Sequence, residues 1–180
     1  MAGRKKSAKS KSGRLRIVAG NWRSRLLDIA DVDGLRPTSE RIRETLFNWL
    51  TSTLHGARCL DLFAGTGALG LEALSRGAAT TDFVERSPVA ARQLEANIDI
   101  LNATGARVHK QDASSFLESG TQDRFDIVFL DPPFAADVLE ETCRLLAQSG
   151  ILADSALVYI EQDRSRPEAA LPRSWRVIKN

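Results

Sequence analysis

Two stretches of the chain carry residues whose type and spacing suit chemistry. In Cys59-Leu60-Asp61-Leu62-Phe63-Ala64-Gly65-Thr66-Gly67-Ala68-Leu69-Gly70 an apolar run ends in a carboxylate, passes through a glycine-bearing turn and enters an apolar helical pattern. Glycines at such a turn let the backbone approach a ligand where a helix opens. Gly65, Gly67 and Gly70 satisfy G-x-G-x-x-G, and Glu85 follows at the spacing where an acidic residue takes a ribose diol, so NAD binding must be considered. Asp61 speaks against it: a carboxylate just before the loop repels a pyrophosphate but suits a cation such as the amino group of a methionine moiety. So does the second stretch, Asp131-Pro132-Pro133-Phe134, which directly follows Ile127-Val128-Phe129-Leu130 and has no evident use in a dehydrogenase.

These residues need elements to hold them. From residue 57 onward, short apolar runs alternate with helical stretches, the pattern of βαβ units and a largely parallel sheet. Strands are expected at Arg58–Leu62, Thr80–Glu85, Arg107–Lys110, Asp126–Leu130 and Leu157–Glu161, with a weak sixth at Trp175–Ile178. Helices are expected at Ala68–Arg76 closed by Gly77, at Val89–Leu101 after the N-cap Ser87 and Pro88, and at Val138–Gln148 closed by Gly150. Upstream, Leu15–Val18 and Arg25–Ile29 flank Gly20-Asn21-Trp22-Arg23, a β-hairpin whose turn exposes Trp22 among arginines. Thr38 is the expected N-cap of a helix carrying Ile42, Leu46, Trp49, Leu50 and Leu54 on one face, with Arg41, Glu44 and Asn48 on the wet one. Three parts result: a disordered basic arm over 1–13, a hairpin-and-helix extension over 14–56, and a catalytic domain over 57–180.

Composition sets the outer limits. With 180 residues, 43% of them hydrophobic, the chain is large enough to bury a core. It contains no run near the roughly 18 apolar residues that a bilayer span needs, and no signal core follows the basic start, so a cytoplasmic protein without membrane association is expected. Cys59 and Cys143 lie apart without a metal-ligand grouping, so no metal site is expected and both thiols read as small apolar packing. Residues 1–27 hold nine lysines and arginines before the first acidic residue, Asp28, leaving 16 basic residues against 23 acidic ones in the rest. A basic arm on an acidic body suits a polyanion such as nucleic acid, because phosphate contacts release counterions; a solvated tail is the plainer reading.

The motif D-L-F-A-G-T-G with a following acidic strand end and D-P-P-F resembles the Rossmann-like methyltransferases that use S-adenosylmethionine, in which D-P-P-[FYW] marks methylation of a planar exocyclic amine. The likeness extends through Arg16-Ile17-Val18-Ala19-Gly20-x-Trp22-Arg23, Leu35-Arg36-Pro37-Thr38, the run from Arg41 to Leu50, and the run from Gly67 to Gly77. Together these resemble the RsmD family, bacterial small-subunit ribosomal RNA guanine-N2 methyltransferases, over roughly residues 14–178. The resemblance implies a doubly wound α/β sheet, S-adenosylmethionine as methyl donor, and 16S ribosomal RNA in an assembled or assembling small subunit as partner. A monomer is the expectation from size.

For the site, the resemblance and the pattern imply that Asp61, Phe63, Ala64, Gly65, Thr66 and Gly67 face the methionine portion. Glu85 would bind the ribose, and Asp112 with Ala113 the adenine. Gly70 is expected to serve close helix packing, and the plainer alternative for Asp112 is a loop carboxylate capping the next helix. Asp131 and the Pro132 carbonyl can accept the two N–H bonds of the amine, the two prolines hold that carbonyl, and Phe134 can stack on the base, a contact worth about 1–3 kcal/mol in nucleic-acid binders. The alternative for Asp131 is a turn residue before prolines. Arg16, Trp22, Arg23, Arg25, Arg36, Arg41 and Arg43 could form an RNA surface; each arginine reads otherwise as solvated, and Arg43 also as a partner of a core carboxylate.

Two departures from the family stand out. Ser24 replaces the glycine of Arg-Gly-Arg, which puts the local turn in question. The family fold finishes with a β-hairpin whose last strand enters the sheet antiparallel, whereas this sequence stops at Asn180 after the first arm, so an exposed edge with lower stability or association is expected. Adenine-N6 methylation and a non-catalytic RNA-binding module with the same fold remain the alternatives.

Overall fold

The computed structural model describes residues 13–133, 138–162 and 165–180. A two-stranded antiparallel hairpin, β1 (Arg14–Arg16) and β2 (Leu26–Asp28), precedes α1 (Glu40–Leu54). Then β3 (Arg58–Asp61), α2 (Ala68–Ser75), β4 (Thr80–Val84), α3 (Pro88–Leu101) and β5 (Ala106–His109) alternate along the chain. They are followed by α4 (Ala113–Glu118), β6 (Phe125–Leu130), α5 (Leu139–Gln148) and β7 (Leu152–Ile160). The sheet order is β5-β4-β3-β6-β7, and its neighbouring strands are all parallel. The chain thus builds outward from β3 in one direction and then crosses to its other side, which puts a topological switch point between β3 and β6. In open α/β sheets, ligands bind outside the carboxyl ends of the strands at that point.

Local chemistry explains the boundaries. Every residue of α2 is buried, Glu72 and Ser75 among otherwise apolar ones, and Gly70 packs against Phe83 and Thr81 of the sheet. A Cβ at Gly70 would stand 2.2 Å from the Phe83 ring and 2.8 Å from Thr81, so the expected packing role is met. Ser87 caps α3 through the Ala90 amide with Pro88 in the first turn, also as expected. The first helix departs from expectation: its cap is Ser39, whose hydroxyl accepts from Ile42 N–H, while Thr38 points elsewhere. Its buried face is Arg43, Leu46, Phe47, Leu50 and Leu54, whereas Ile42 and Trp49 are exposed.

On the far side, β7 begins at Leu152 rather than Leu157. Its pairing with β6 jumps from Phe125↔Leu152 to Ile127↔Leu157 across an irregularity in which Ser155 takes φ +61°, which hides the early part of the strand from a hydropathy pattern. Trp175–Ile178 is not a strand; Trp175 packs instead against the core beside α5.

The hairpin is not an appendage. Leu15, Ile17, Leu27 and Ile29 lie in one buried cluster with Leu71 of α2, Phe83 of β4 and Leu94 of α3. Trp22 is half-buried against that cluster, which corrects its expected exposure. Gly20 makes the contact possible: at φ +83° a Cβ there would stand 1.9 Å from the Ser75 carbonyl oxygen. Asn21 N–H donates to that oxygen at 2.7 Å, and Trp22 N–H donates to Ser75 Oγ at 3.0 Å.

Candidate active site at the sheet switch point

Asp61, Glu85, Asp131 and Glu161 end, or directly follow, the strands β3, β4, β6 and β7, and so gather at one edge of the sheet. Asp61 is 1% exposed. Its Oδ2 accepts the Gly70 N–H at 3.1 Å, but Oδ1 is a buried oxygen with no hydrogen-bond partner among the described residues. Burial pushes its carboxyl up to about 7, and the Asp131 and Glu85 carboxylates add to the rise. The amides of Gly70 and Phe63 oppose it, and only the Gly70 contact meets full hydrogen-bond geometry. A buried carboxylate oxygen left unpaired is costly, and a cationic donor is what satisfies it.

The glycine loop is fixed from the next strand. Glu85 Oε2 accepts Gly65 N–H at 2.8 Å and its Oε1 accepts Ser87 N–H at 2.7 Å, so this carboxylate ties the loop to the start of α3. Gly65 and Gly67 both have positive φ, +52° and +77°, and Gly67 serves as N-cap of α2, so the turn needs residues without a Cβ. Phe63 is half-buried, and Ala64 and Thr66 are buried. Asp112 is the N-cap of α4, a helix not among those expected from the pattern: it accepts from Ser115 N–H at 2.9 Å and Ser115 Oγ–H at 2.8 Å, with Ala113 opening the helix. These bonds hold its carboxyl below the usual range.

Across the switch point, the Asp131 carboxyl is raised by desolvation, and the hydrogen bond from Thr38 works the other way. Thr38 Oγ1 donates to Asp131 Oδ2 at 2.8 Å. Pro132 is buried and Pro133 exposed; Phe134 lies outside the described residues. At the neighbouring strand end, Glu161 accepts from Tyr159 Oη–H at 3.2 Å, and burial followed by the Asp131 charge raises its carboxyl.

The arginines divide. Arg16, Arg23, Arg25, Arg36 and Arg41 are exposed. Arg43 is not: at 1% exposure its Nη1 donates to Glu72 Oε2 at 2.9 Å, Nη2 to the Arg16 carbonyl at 2.8 Å, and Nε to the Thr38 carbonyl at 3.1 Å. A guanidinium so buried is out of reach of a phosphate, and Arg43 leaves the RNA surface. Its partner Glu72, fully buried on α2, also accepts from Val18 N–H, Ala19 N–H and Arg76 Nε–H, joining hairpin, α1 and α2 in one knot. Glu72 and Thr38 are the residues the pattern missed; a glutamate inside an otherwise apolar helix was the available signal for the first.

The sequence profile of the family described as "Conserved hypothetical protein 95" matches residues 15–180. Ribosomal RNA small subunit methyltransferase D of Escherichia coli K12 is 49% identical over 172 residues, covering 95% of this chain and 86% of that one. The Haemophilus influenzae protein of the same name is 42% identical over 93% of this chain and 88% of its own. The chain belongs to the RsmD family. A solved structure of a putative methyltransferase from E. coli matches with a TM-score of 0.86 at 44% identity over 93% of this chain and 90% of that one, and the architecture is accordingly a Rossmann-like methyltransferase fold. Family membership implies a methyl donor, and the unpaired Asp61 oxygen within a ring of carboxylates fits a donor that carries positive charge. Among the described residues no cluster suits a metal ion, and no helix is long and apolar enough to cross a membrane. Cys59 and Cys143 are buried with their thiols pushed up to about 12 and about 11, which keeps them protonated.

Proposed function

We propose that this protein transfers the methyl group of S-adenosylmethionine to the exocyclic N2 amine of a guanine in 16S ribosomal RNA, working as a cytoplasmic monomer on an assembled or assembling small subunit. The observation that carries the reading is the pair of carboxylates on either side of the switch point in a chain of this family. Asp61 keeps an unpaired oxygen for a cationic group, and Asp131 directly follows the neighbouring strand, close enough for its charge to act on Asp61. Bound there, S-adenosylmethionine supplies an electrophilic methyl on a sulfonium.

Asp61 accepts the ammonium of the methionine portion, Glu85 adds ribose contacts to its hold on Gly65, and Asp112 accepts from the adenine amine while capping α4. Both Glu85 and Asp112 have lone pairs beyond those their backbone and serine partners take. At the substrate, the conjugated guanine amine needs its lone pair freed. Asp131 and the Pro132 carbonyl accept its two N–H bonds, favouring a pyramidal nitrogen and aiming the lone pair at the methyl, while Phe134 stacks on the extruded base. S-adenosylmethionine held by Asp61, Glu85 and Asp112 would give its methyl to the amine nitrogen and leave as S-adenosylhomocysteine, and the proton lost from that nitrogen would pass to water. Residues 14–56 present the RNA-facing arginines Arg16, Arg23, Arg25, Arg36 and Arg41 beside half-buried Trp22, and residues 57–180 perform the transfer.

Labelled methyl transfer to small ribosomal subunits lacking endogenous modification, beside free ribosomal RNA, DNA and protein, tests this. Label should enter 16S RNA with the wild type and not with Asp131→Ala. Label entering only DNA or protein would refute the RNA reading, and equal transfer by the mutant would refute the role of Asp131.

A further inference from the structure

We propose that Thr38 is a positioning residue for methyl transfer: its hydroxyl, held at the start of α1, fixes the rotamer of Asp131 so that Oδ1 is turned to the substrate amine. This rests on the catalytic reading of Asp131 given above. Thr38 Oγ1 donates to Asp131 Oδ2 at 2.8 Å across 93 residues of sequence, a contact no local preference can produce. Thr38 has been released from the usual task of a threonine at this place, since the adjacent Ser39 caps the helix.

The anchor for Thr38 is itself rigid. Its carbonyl accepts from Arg43 Nε at 3.1 Å, and that guanidinium is clamped by buried Glu72 and by the Arg16 carbonyl. The same segment reaches the glycine loop, because Leu35 Cδ1 would lie 3.0 Å from a Cβ at Gly65. The stretch from Leu35 to Thr38 therefore contacts both halves of the site, and Arg43 connects it to the arginine-bearing hairpin. A hydrogen bond that takes one carboxylate oxygen orients the other, and reacting groups misplaced by about 1 Å lose rate on the order of a hundredfold.

The bond also favours the charged form of Asp131, opposing desolvation. Among the described residues, the charged groups that interact with it are Asp61 of β3 and Glu161 after β7, both acidic, with Arg43 behind the Thr38 carbonyl. Among the described residues no cation bonds Asp131, so Thr38 is the hydroxyl donor its carboxylate depends on.

Thr38→Val removes the hydroxyl at nearly constant shape, and Thr38→Ser retains it. For Thr38→Val we expect kcat to fall on the order of tenfold with KM for S-adenosylmethionine within about twofold, and the acid limb of the kcat profile to move to higher pH. Thr38→Ser should lie within about twofold of wild type in each respect. A Thr38→Val enzyme with unchanged kcat and acid limb, or a Thr38→Ser enzyme as impaired as the valine variant, would overturn the proposal. Titration of carbon-13-labelled Asp131 in the cofactor-free protein, assigned with Asp131→Asn, reads the same contact without any reaction. There Thr38→Val should raise the Asp131 midpoint, and an unmoved midpoint overturns the proposal even if the wild type methylates nothing in ribosomal RNA.

Discussion

At the scale of single residues, Asp61 and Asp131 are two carboxylates at one edge of the sheet with different surroundings. Asp61 is enclosed, and the folded protein holds its proton up to about pH 7, whereas the ordinary value is 3.8. The folded state therefore binds more protons than the unfolded one across that window, so Asp61 lowers stability as pH rises through it and continues to do so above. Asp61→Asn should stabilise the cofactor-free protein at pH 8 by about 1 kcal/mol or more in urea unfolding, with the gain vanishing near pH 4. The same variant should bind S-adenosylhomocysteine at least tenfold more weakly by calorimetry, since the ammonium loses its counter-charge. A mutation that stabilises the protein and weakens its ligand is the signature of a site strained to receive a cation; destabilisation at pH 8 would argue against it. Asp131 is half-buried and bonded to Thr38, so Asp131→Asn should lose transfer by at least a hundredfold while keeping S-adenosylhomocysteine affinity within about threefold.

At the scale of elements, the hairpin and α1 are held to α2 by a buried ion pair rather than by apolar contact alone. Removing one partner of such a pair leaves an uncompensated charge, so Glu72→Ala should cost about 3–5 kcal/mol in chemical denaturation, more than most large-to-small changes on this surface. The hairpin turn has a smaller defect. Ser24 takes φ +66°, the left-handed conformation a glycine adopts at no steric cost, so Ser24→Gly should raise stability by about 0.5–1 kcal/mol, measured by the same method.

These elements also show what a sequence can disclose. The glycine loop, the N-cap Ser87 and the strand before Asp131 are local patterns, readable because backbone conformation and short-range hydrogen bonds set them. Arg43 was ambiguous because its partner lies 29 residues away on another helix, and a polar type at a helical position says nothing of what faces it. Ile42 and Trp49 went to the surface for the converse reason: Arg43 and Phe47 took the buried stripe. The task of Thr38 was hidden because a cap was the nearer explanation, and only the fold brings Asp131 within 2.8 Å of it.

At the scale of the whole molecule, charge and core divide the labour. Leu15, Ile17, Leu27 and Ile29 share a buried cluster with α2, β4 and α3, so the arginine-bearing hairpin is rigidly referenced to the carboxylates at the sheet edge. On the proposed RNA surface, where Arg23 and Arg36 are exposed, binding should weaken with salt, and Arg23→Ala or Arg36→Ala should each lower the slope of log affinity against log salt by roughly 0.7–0.9. Fluorescence titration at several salt concentrations measures it; Arg43→Lys should disturb folding rather than that slope. The choice of fold was legible from alternating strands and helices, whereas the fusion of hairpin and sheet into one core was not, since it depends on Gly20 meeting Ser75.

Nucleoside analysis of 16S RNA from small subunits treated with S-adenosylmethionine and this protein should show N2-methylguanine, absent with Asp131→Asn. N6-methyladenine in its place would contradict the guanine assignment, and an unmodified RNA from subunits that carry the target base would contradict the catalytic reading itself.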